Sequence, residues 1–199
     1  IVHTIVRSTD VPVSVKIRLG WDSENINYLE AADAAVNGGA SLIAMHARTR
    51  AQGYSGNADW SHLKILKKHI SLPVAGSGDL FSPQAAKQML ELTGVDGLMF
   101  ARGAVGNPFI FSMTRQLLET GELSEPVDFH TRLIRIFEQL DIAIEEKGEY
   151  TACREMRKQF SAYTKGFPGA AALRSEIVQA ETRNDYVQLL RLDQYPAEW

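Results

Sequence analysis

Lys16, His46, the Ser77-Gly78-Asp79 turn and Arg102 each stand at the close of a short apolar run. They are the side chains of this protein best placed to do chemistry. The runs read Val13-Ser14-Val15-Lys16-Ile17-Arg18-Leu19-Gly20, then Ser41-Leu42-Ile43-Ala44-Met45-His46-Ala47-Arg48-Thr49-Arg50. Pro73-Val74-Ala75-Gly76-Ser77-Gly78-Asp79 and Asp96-Gly97-Leu98-Met99-Phe100-Ala101-Arg102-Gly103 follow. A fixed cation offers an anion a partner, and a glycine lets the backbone come close to a ligand. Four such closures in succession point to a site for a phosphate-bearing cofactor. The glycine turns at 78 and 103 suit the phosphate itself, since backbone N–H groups and Arg102 could meet it there.

Each run is short, bounded by Gly or Pro, and rich in residues suited to a strand buried on both faces. Helical segments lie between them. Residues 1–9 finish a helix, and Asn27 to Asn37 form one stopped by Gly38-Gly39. Asp59 is suited to cap a helix running to about His69, and Ser82-Pro83 opens the next with proline in its first turn. Asn107-Pro108 opens a further helix from Phe109 to Glu119. This alternation predicts an α/β fold over residues 1–125, the C-terminal half of a TIM (β/α)8 barrel, with its site at the C-terminal strand ends. A half barrel leaves two open parallel edges. The remaining strands are therefore expected in an N-terminal portion outside this chain, which opens at Ile1 without a methionine.

The pattern changes after Gly121-Glu122-Leu123-Ser124-Glu125-Pro126. Leu133, Ile136, Phe137, Leu140 and Ile144 recur at helical spacing along one long helix. A second helix, about Thr151 to Lys165, carries Cys153, Met156 and Phe160 on one face and Arg154, Lys158 and Lys165 on the other. Gly166-Phe167-Pro168-Gly169 breaks it, and one or two more helices to about Leu192 complete a small all-α bundle over 126–199.

With 199 residues, 45% hydrophobic and 23% charged, the chain has the composition of an ordinary globular protein with a substantial core. A net charge of −3 exerts no global pull on nucleic acid, so an RNA-binding surface would have to be a local patch. No apolar run approaches the roughly 18 residues of a membrane span and no signal-peptide pattern is present, which predicts a cytoplasmic protein without a membrane partner. The single cysteine, Cys153, excludes an internal disulfide and suits a reducing compartment. The five histidines show no metal-ligand spacing, so no metal is expected.

His46-Ala47-Arg48-Thr49-Arg50-Ala51-Gln52-Gly53-Tyr54-Ser55-Gly56 resembles the bacterial tRNA-dihydrouridine synthases, flavoenzymes that reduce the C5–C6 double bond of uridines in tRNA. Val15-Lys16-Ile17-Arg18-Leu19-Gly20-Trp21, the Pro73–Asp79 run and Ala101-Arg102-Gly103-Ala104-Val105-Gly106-Asn107-Pro108 are similar to the same family in the same order. Glu155-Met156-Arg157-Lys158 and Tyr163-Thr164-Lys165-Gly166-Phe167-Pro168-Gly169-Ala170-Ala171 resemble its C-terminal bundle. The resemblance covers essentially the whole chain, as the C-terminal two-thirds of a family member. Two positions depart from the family pattern: Ser77 stands where Asn is usual, and Ala101 where Gly is usual. Both are small and the contacts there come largely from backbone N–H groups, so cofactor binding is expected to survive.

The resemblance implies FMN as cofactor, NADPH as reductant and tRNA as partner, in an enzyme expected to be monomeric when full length. Lys16, His46, Ser77, Gly78, Asp79, Ala101, Arg102 and Gly103 would hold FMN. Lys16 would favour the reduced flavin by its charge near N1 and O2; otherwise it is a lysine snorkelling to the barrel rim. His46 would lie against the flavin, although alone it reads as a core histidine paired to backbone. Asp79 would orient a loop or accept from a ribityl hydroxyl. Arg48 and Arg50 would reach a cofactor or tRNA phosphate, or simply be solvated. Arg154, Arg157, Lys158 and Lys165 would track a tRNA backbone, the alternative being a solvated helix face. No catalytic residue is assigned here. The family's proton-donating cysteine belongs to the N-terminal barrel half, and Cys153 reads as a buried structural thiol. The chain alone is thus expected to be inactive. Two rival readings remain: an FMN-dependent barrel oxidoreductase of a free dihydropyrimidine-type molecule, and a non-catalytic RNA-binding unit.

Overall fold

The computed structural model describes residues 1–166 and 169–190, in two compact units. One comprises Ile1–Gly103 with Ile110–Leu123; the other takes Ala104–Phe109 and the chain from Ser124 on. Phe167, Pro168 and Leu192, named above at the break and end of the bundle, lie outside the described residues.

The first unit is built from β1 (Ser14–Arg18), β2 (Leu42–His46), β3 (Val74–Ser77) and β4 (Gly97–Leu98), all parallel in the order β1-β2-β3-β4. Helices α1 (Val2–Arg7), α2 (Tyr28–Asn37), α3 (Ser61–His69), α4 (Pro83–Thr93) and α5 (Ile110–Thr120) complete it. This is the β/α alternation of a partial barrel, as the spacing of the apolar runs predicts. The register sets Lys16 beside Ala44, Arg18 beside His46, and His46 beside Ser77. Side chains alternate along a strand. Val15, Ile17, Ile43, Met45 and Val74 therefore turn toward Ala32, Ala35, Leu63, Leu66, Ala86 and Met89 of the helices, forming one apolar core. The alternate positions Lys16, Arg18, His46 and Ser77 face the other way.

Local chemistry explains most element boundaries. The Ser82 side chain accepts a hydrogen bond from the Ala85 N–H at the start of α4, with Pro83 in its first turn. At α3 the expected cap is displaced by one residue. Trp60 occupies the capping position, while Asp59 Oδ1 accepts from the Ser61 N–H and hydroxyl at 3.0 and 2.6 Å. Trp60 is held in place because its indole N–H donates to the Gly78 carbonyl at 3.0 Å. The fourth strand is shorter than its apolar run. After Leu98 only the Met99 N–H still bonds β3, through Gly76 O at 2.8 Å, and the chain turns into a 3₁₀ segment at Arg102–Ala104.

The second unit contains α6 (Phe129–Lys147), α7 (Glu149–Tyr163), α8 (Ala170–Ile177) and α9 (Arg183–Leu189). The periodic residues Leu133, Ile136, Phe137 and Leu140 pack with Ala152, Cys153, Met156 and Phe160. Tyr186 stacks on Phe160 with ring centroids 3.7 Å apart, and its hydroxyl donates to the Cys153 carbonyl at 2.7 Å. Asp128 caps α6 through the Thr131 N–H. Among the described residues no helix is long and apolar enough to cross a membrane.

Two glycines of positive φ separate backbone strain from crowding. At Gly121 (φ 78) a Cβ would meet nothing within 4 Å, whereas at Gly106 (φ 71) it would lie 2.6 Å from the Ala162 carbonyl carbon. Gly121→Ala is expected to lower stability by about 1–2 kcal/mol, the left-handed penalty alone. Gly106→Ala should lose at least ~1 kcal/mol more, because backbone must move as well. Paired urea melts of the two variants check this; equal losses would show that the Ala162 contact relaxes without cost.

Candidate cofactor site

The C-terminal ends of the four strands enclose a cavity of about 270 Å³. Lys16, His46, Ser77, Gly78, Asp79, Ala101, Arg102 and Gly103 all line it, so every residue expected to hold a cofactor meets in one place. Register accounts for Lys16, His46 and Ser77. Close approach accounts for the glycines: a Cβ at Gly78 would lie 2.6 Å from Ala58 Cβ, and one at Gly103 would lie 1.9 Å from the Leu80 carbonyl oxygen. The β3 and β4 turns can pack against their neighbours only without side chains at those points.

Arg18, Tyr54, Leu80, Phe81, Met99 and Phe100 complete the wall. Arg18 is legible from the sequence, since it follows Lys16 by two residues on the same strand and must share its face. Its Nη1 donates to the carbonyls of Thr49 and Gly53 at 2.8 and 3.3 Å, which anchors the guanidinium across the β2 loop. Tyr54 and Phe81 carry no such signal. They flank Arg102, whose Cζ lies 4.2 Å from the Tyr54 ring centroid and 5.1 Å from that of Phe81. Arg102 is thus held by two aromatic faces and by Asp79, its Nη2 3.1 Å from Asp79 Oδ1.

Positive charge dominates the cavity. His46 is pushed down from 6.5 to about 4 by burial and by the charges of Arg18, Lys16, Arg48 and Arg102, so it is neutral at pH 7. Burial and the neighbouring Arg18 also lower Lys16. Asp79 is the acidic residue lining the wall. Burial alone would raise its carboxyl, but hydrogen bonds from Arg48 and the Ala58 N–H, with the charges of Arg48 and Arg102, outweigh that and hold it below the usual carboxylate value. Its Oδ1 accepts from Arg48 and Arg102 and its Oδ2 from Arg48 and Ala58. The four acceptor positions of a carboxylate are thereby taken. Of the two roles expected of Asp79, orienting its surroundings is the one this geometry serves. Accepting from a ligand hydroxyl is not.

Two of the expected RNA contacts have partners within the chain. Arg48 is 1% exposed, and four of its N–H donors are given to Asp79 and to the Ser55 and Gly56 carbonyls, with Nη1 also 3.5 Å from His46 Nε2. So buried, it presents no donor to a phosphate outside. Arg157 is part-buried, with Nε and Nη2 both donating to the Ala180 carbonyl at 2.9 and 2.8 Å, so it ties α7 to the turn before α9. Arg50, Arg154, Lys158 and Lys165 are exposed. Arg50 lies over the Trp21 ring, and Arg154 donates to the Tyr150 hydroxyl at 2.6 Å. Among the described residues no group of His, Cys, Asp and Glu could hold a metal ion.

The model of the Dihydrouridine synthase (Dus) family matches residues 1–197. The chain belongs to the dihydrouridine synthase family. It is 43% identical over 185 residues to the probable tRNA-dihydrouridine synthase of Treponema pallidum, covering 91% of this chain and 54% of that protein. Against the probable tRNA-dihydrouridine synthase 1 of Synechocystis it is 40% identical over 190 residues, with 96% and 53% covered. The tRNA-dihydrouridine synthase B of Shewanella oneidensis is 39% identical over 163 residues, with 82% and 51% covered. The chain therefore spans about half the length of these relatives, less than the two-thirds expected from the order of its motifs.

The surroundings of His46 make a testable statement. The folded chain resists protonating it, whereas the unfolded chain accepts a proton at the ordinary 6.5. Its contribution to stability is thus intact above pH 6.5 and is lost as pH falls from 6.5 toward 4. An NMR titration of the His46 ring should show it neutral at pH 6 with its midpoint near pH 4. A midpoint near 6.5 would mean that neither burial nor the surrounding cations act on the ring.

Proposed function

We propose that this chain forms the FMN-binding part and the RNA-gripping part of a tRNA-dihydrouridine synthase, which reduces the C5–C6 double bond of specific uridines in tRNA with NADPH as reductant. One observation carries the reading: eight residues from four separate strand ends line one cavity rich in cations, in a chain of the dihydrouridine synthase family. Lys16, Arg18 and Arg102 suit a ligand that carries a phosphate and develops negative charge when reduced. Gly78 and Gly103 let the β3 and β4 turns pack closely against Ala58 and Leu80, and the phosphate is assigned to Arg102 at the wall beside them.

FMN, when bound, supplies two-electron transfer between the nicotinamide and the uracil ring. The residues of the chain do the rest of the local work. Lys16 and Arg18 present fixed positive charge from one strand face, and the neutral His46 offers a hydrogen bond without adding a competing cation. Arg102 can neutralise a phosphate, because Asp79 takes only its Nη2 and the other donors remain for a ligand. Reduction of the ring also needs a proton at C5. Cys153, the one cysteine, is buried in the second unit with its thiol pushed up to about 11 by burial, so it does not serve as that acid. The acid is assigned to a part of the enzyme outside this chain. A base stacked within tRNA must be turned out to reach a buried flavin, which is why a barrel of this kind would be joined to an RNA-binding module. Residues 126–199, with Arg154, Lys158 and Lys165, and Arg50 on the barrel side, are assigned to tRNA phosphates.

Two measurements test this in the full-length protein. Arg102→Ala should weaken FMN binding by roughly 10- to 100-fold, the worth of one charge-assisted hydrogen bond of about 1.5–3 kcal/mol. Unchanged FMN affinity removes Arg102 from the phosphate site. Substituting Ala for Arg154, Lys158 and Lys165 together should weaken binding to all tRNAs alike and flatten its salt dependence, by a slope of roughly one per lost phosphate contact. FMN affinity should not change. If both tRNA affinity and slope match the parent, those three residues form only a solvated face.

A further inference from the structure

Arg48 is the largest fully buried side chain of the first unit, a guanidinium directly behind the cavity wall. Its Nη1 and Nη2 grip both oxygens of Asp79 at 2.9 and 2.7 Å, a bidentate pair. Nη2 also donates to the Gly56 carbonyl at 2.5 Å, and Nε to the Ser55 carbonyl at 3.2 Å. Nη1 makes a long contact of 3.5 Å with His46 Nε2. Arg48 itself does not line the cavity, yet two of the three supports of Arg102 adjoin its partners, the Phe81 ring being the third. Asp79 supports Arg102 by an ion pair, and Tyr54, next to Ser55, supports it by a ring face. Asp79 needs such a partner, since it has φ 57, a left-handed conformation that a non-glycine residue adopts at a cost.

We propose that Arg48 is a positioning residue for Arg102: by clamping the Asp79 carboxylate on one side and the 55–56 carbonyls beneath Tyr54 on the other, it holds the Arg102 guanidinium aimed into the cavity, ready for an anionic ligand. The identity of that anion as the FMN phosphate rests on the reading above; the positioning itself does not. A lysine at 48 would keep the charge but could not span four acceptors in two directions, because an ammonium is a single point with three donors. Asp79 would then keep only the Ala58 N–H and Arg102 as partners, and both it and Arg102 would gain freedom.

A double-mutant cycle on the full-length protein distinguishes positioning from direct binding. Arg48→Lys is expected to weaken FMN binding by roughly tenfold, about 1.4 kcal/mol. In the Arg102→Ala background the same change should add little, because its effect passes through a side chain already removed. Fully additive losses, or FMN affinity in Arg48→Lys equal to the parent, overturn the proposal. Should Arg48→Lys fail to fold, Asp79→Asn takes its place in the cycle, since it breaks the same clamp at nearly constant size. A second readout needs no cofactor. Nitrogen-15 relaxation of the Arg102 Nε should report an ordered side chain in the parent and nanosecond mobility in Arg48→Lys. If the parent binds no FMN, the cofactor reading falls and the Arg102 relaxation decides this one; an Arg102 equally ordered in both proteins overturns it.

Discussion

The parallel register of β1, β2 and β3 is the constraint on which the rest of the first unit depends. Arg18, His46 and Ser77 stand level because each strand is paired one residue to one residue with the next. A slip of β1 by one residue would send Lys16 and Arg18 toward the helices and Val15 and Ile17 toward the cavity. The apolar core holds the register against that slip, for Ile43, Met45 and Val74 are fully buried against α3 and α4. Core packing and the site are therefore two faces of one decision. The same sheet that buries its hydrophobic side collects cations on the other.

Concentrating cations has a physical cost, and the cavity shows how it is met. Burial, with the charges of Arg18, Lys16, Arg48 and Arg102, keeps His46 neutral, and burial with Arg18 lowers Lys16. Asp79 is the counter-charge, and it is shared between Arg48 and Arg102. A buried arginine without a partner would be strongly destabilising, while the bidentate pair with two further carbonyl acceptors satisfies four of its five donors. Arg102 is left half-committed, held by one ion pair and two rings but with donors to spare. That division between a clamped buried arginine and a half-committed one at the wall separates scaffold from binding group.

The second unit follows a different logic. Its core is aromatic as well as aliphatic, with Phe137 edge-on to Phe160 and Phe160 stacked on Tyr186. Cys153 sits in that core, and its carbonyl receives the Tyr186 hydroxyl. Arg157 and Arg183 spend their guanidiniums on the Ala180 carbonyl and on Asp141. Basic residues in this bundle thus divide into those that lock helices together and those left facing solvent. Arg154, Lys158 and Lys165 belong to the second group.

The elements and the cluster of strand-end residues were readable from the amino-acid order, because both rest on local periodicity. Alternation at two residues marks a strand face, recurrence at three to four marks a helix, and Ser82-Pro83 marks a helix start by its own chemistry. What each arginine does was not readable. Arg48 and Arg50 are two residues apart and of one type, yet one is buried and the other exposed. Strand parity no longer governs there, since the Arg48 N–H bonds back to the His46 carbonyl at 2.7 Å and the chain has left the sheet. Asp79 finds Arg48 across 31 residues of sequence. Tyr54 and Phe81 close on Arg102 from two separate loops. Partnerships of that kind are set by where the folded sheet brings its loop ends together, and no local pattern encodes that distance.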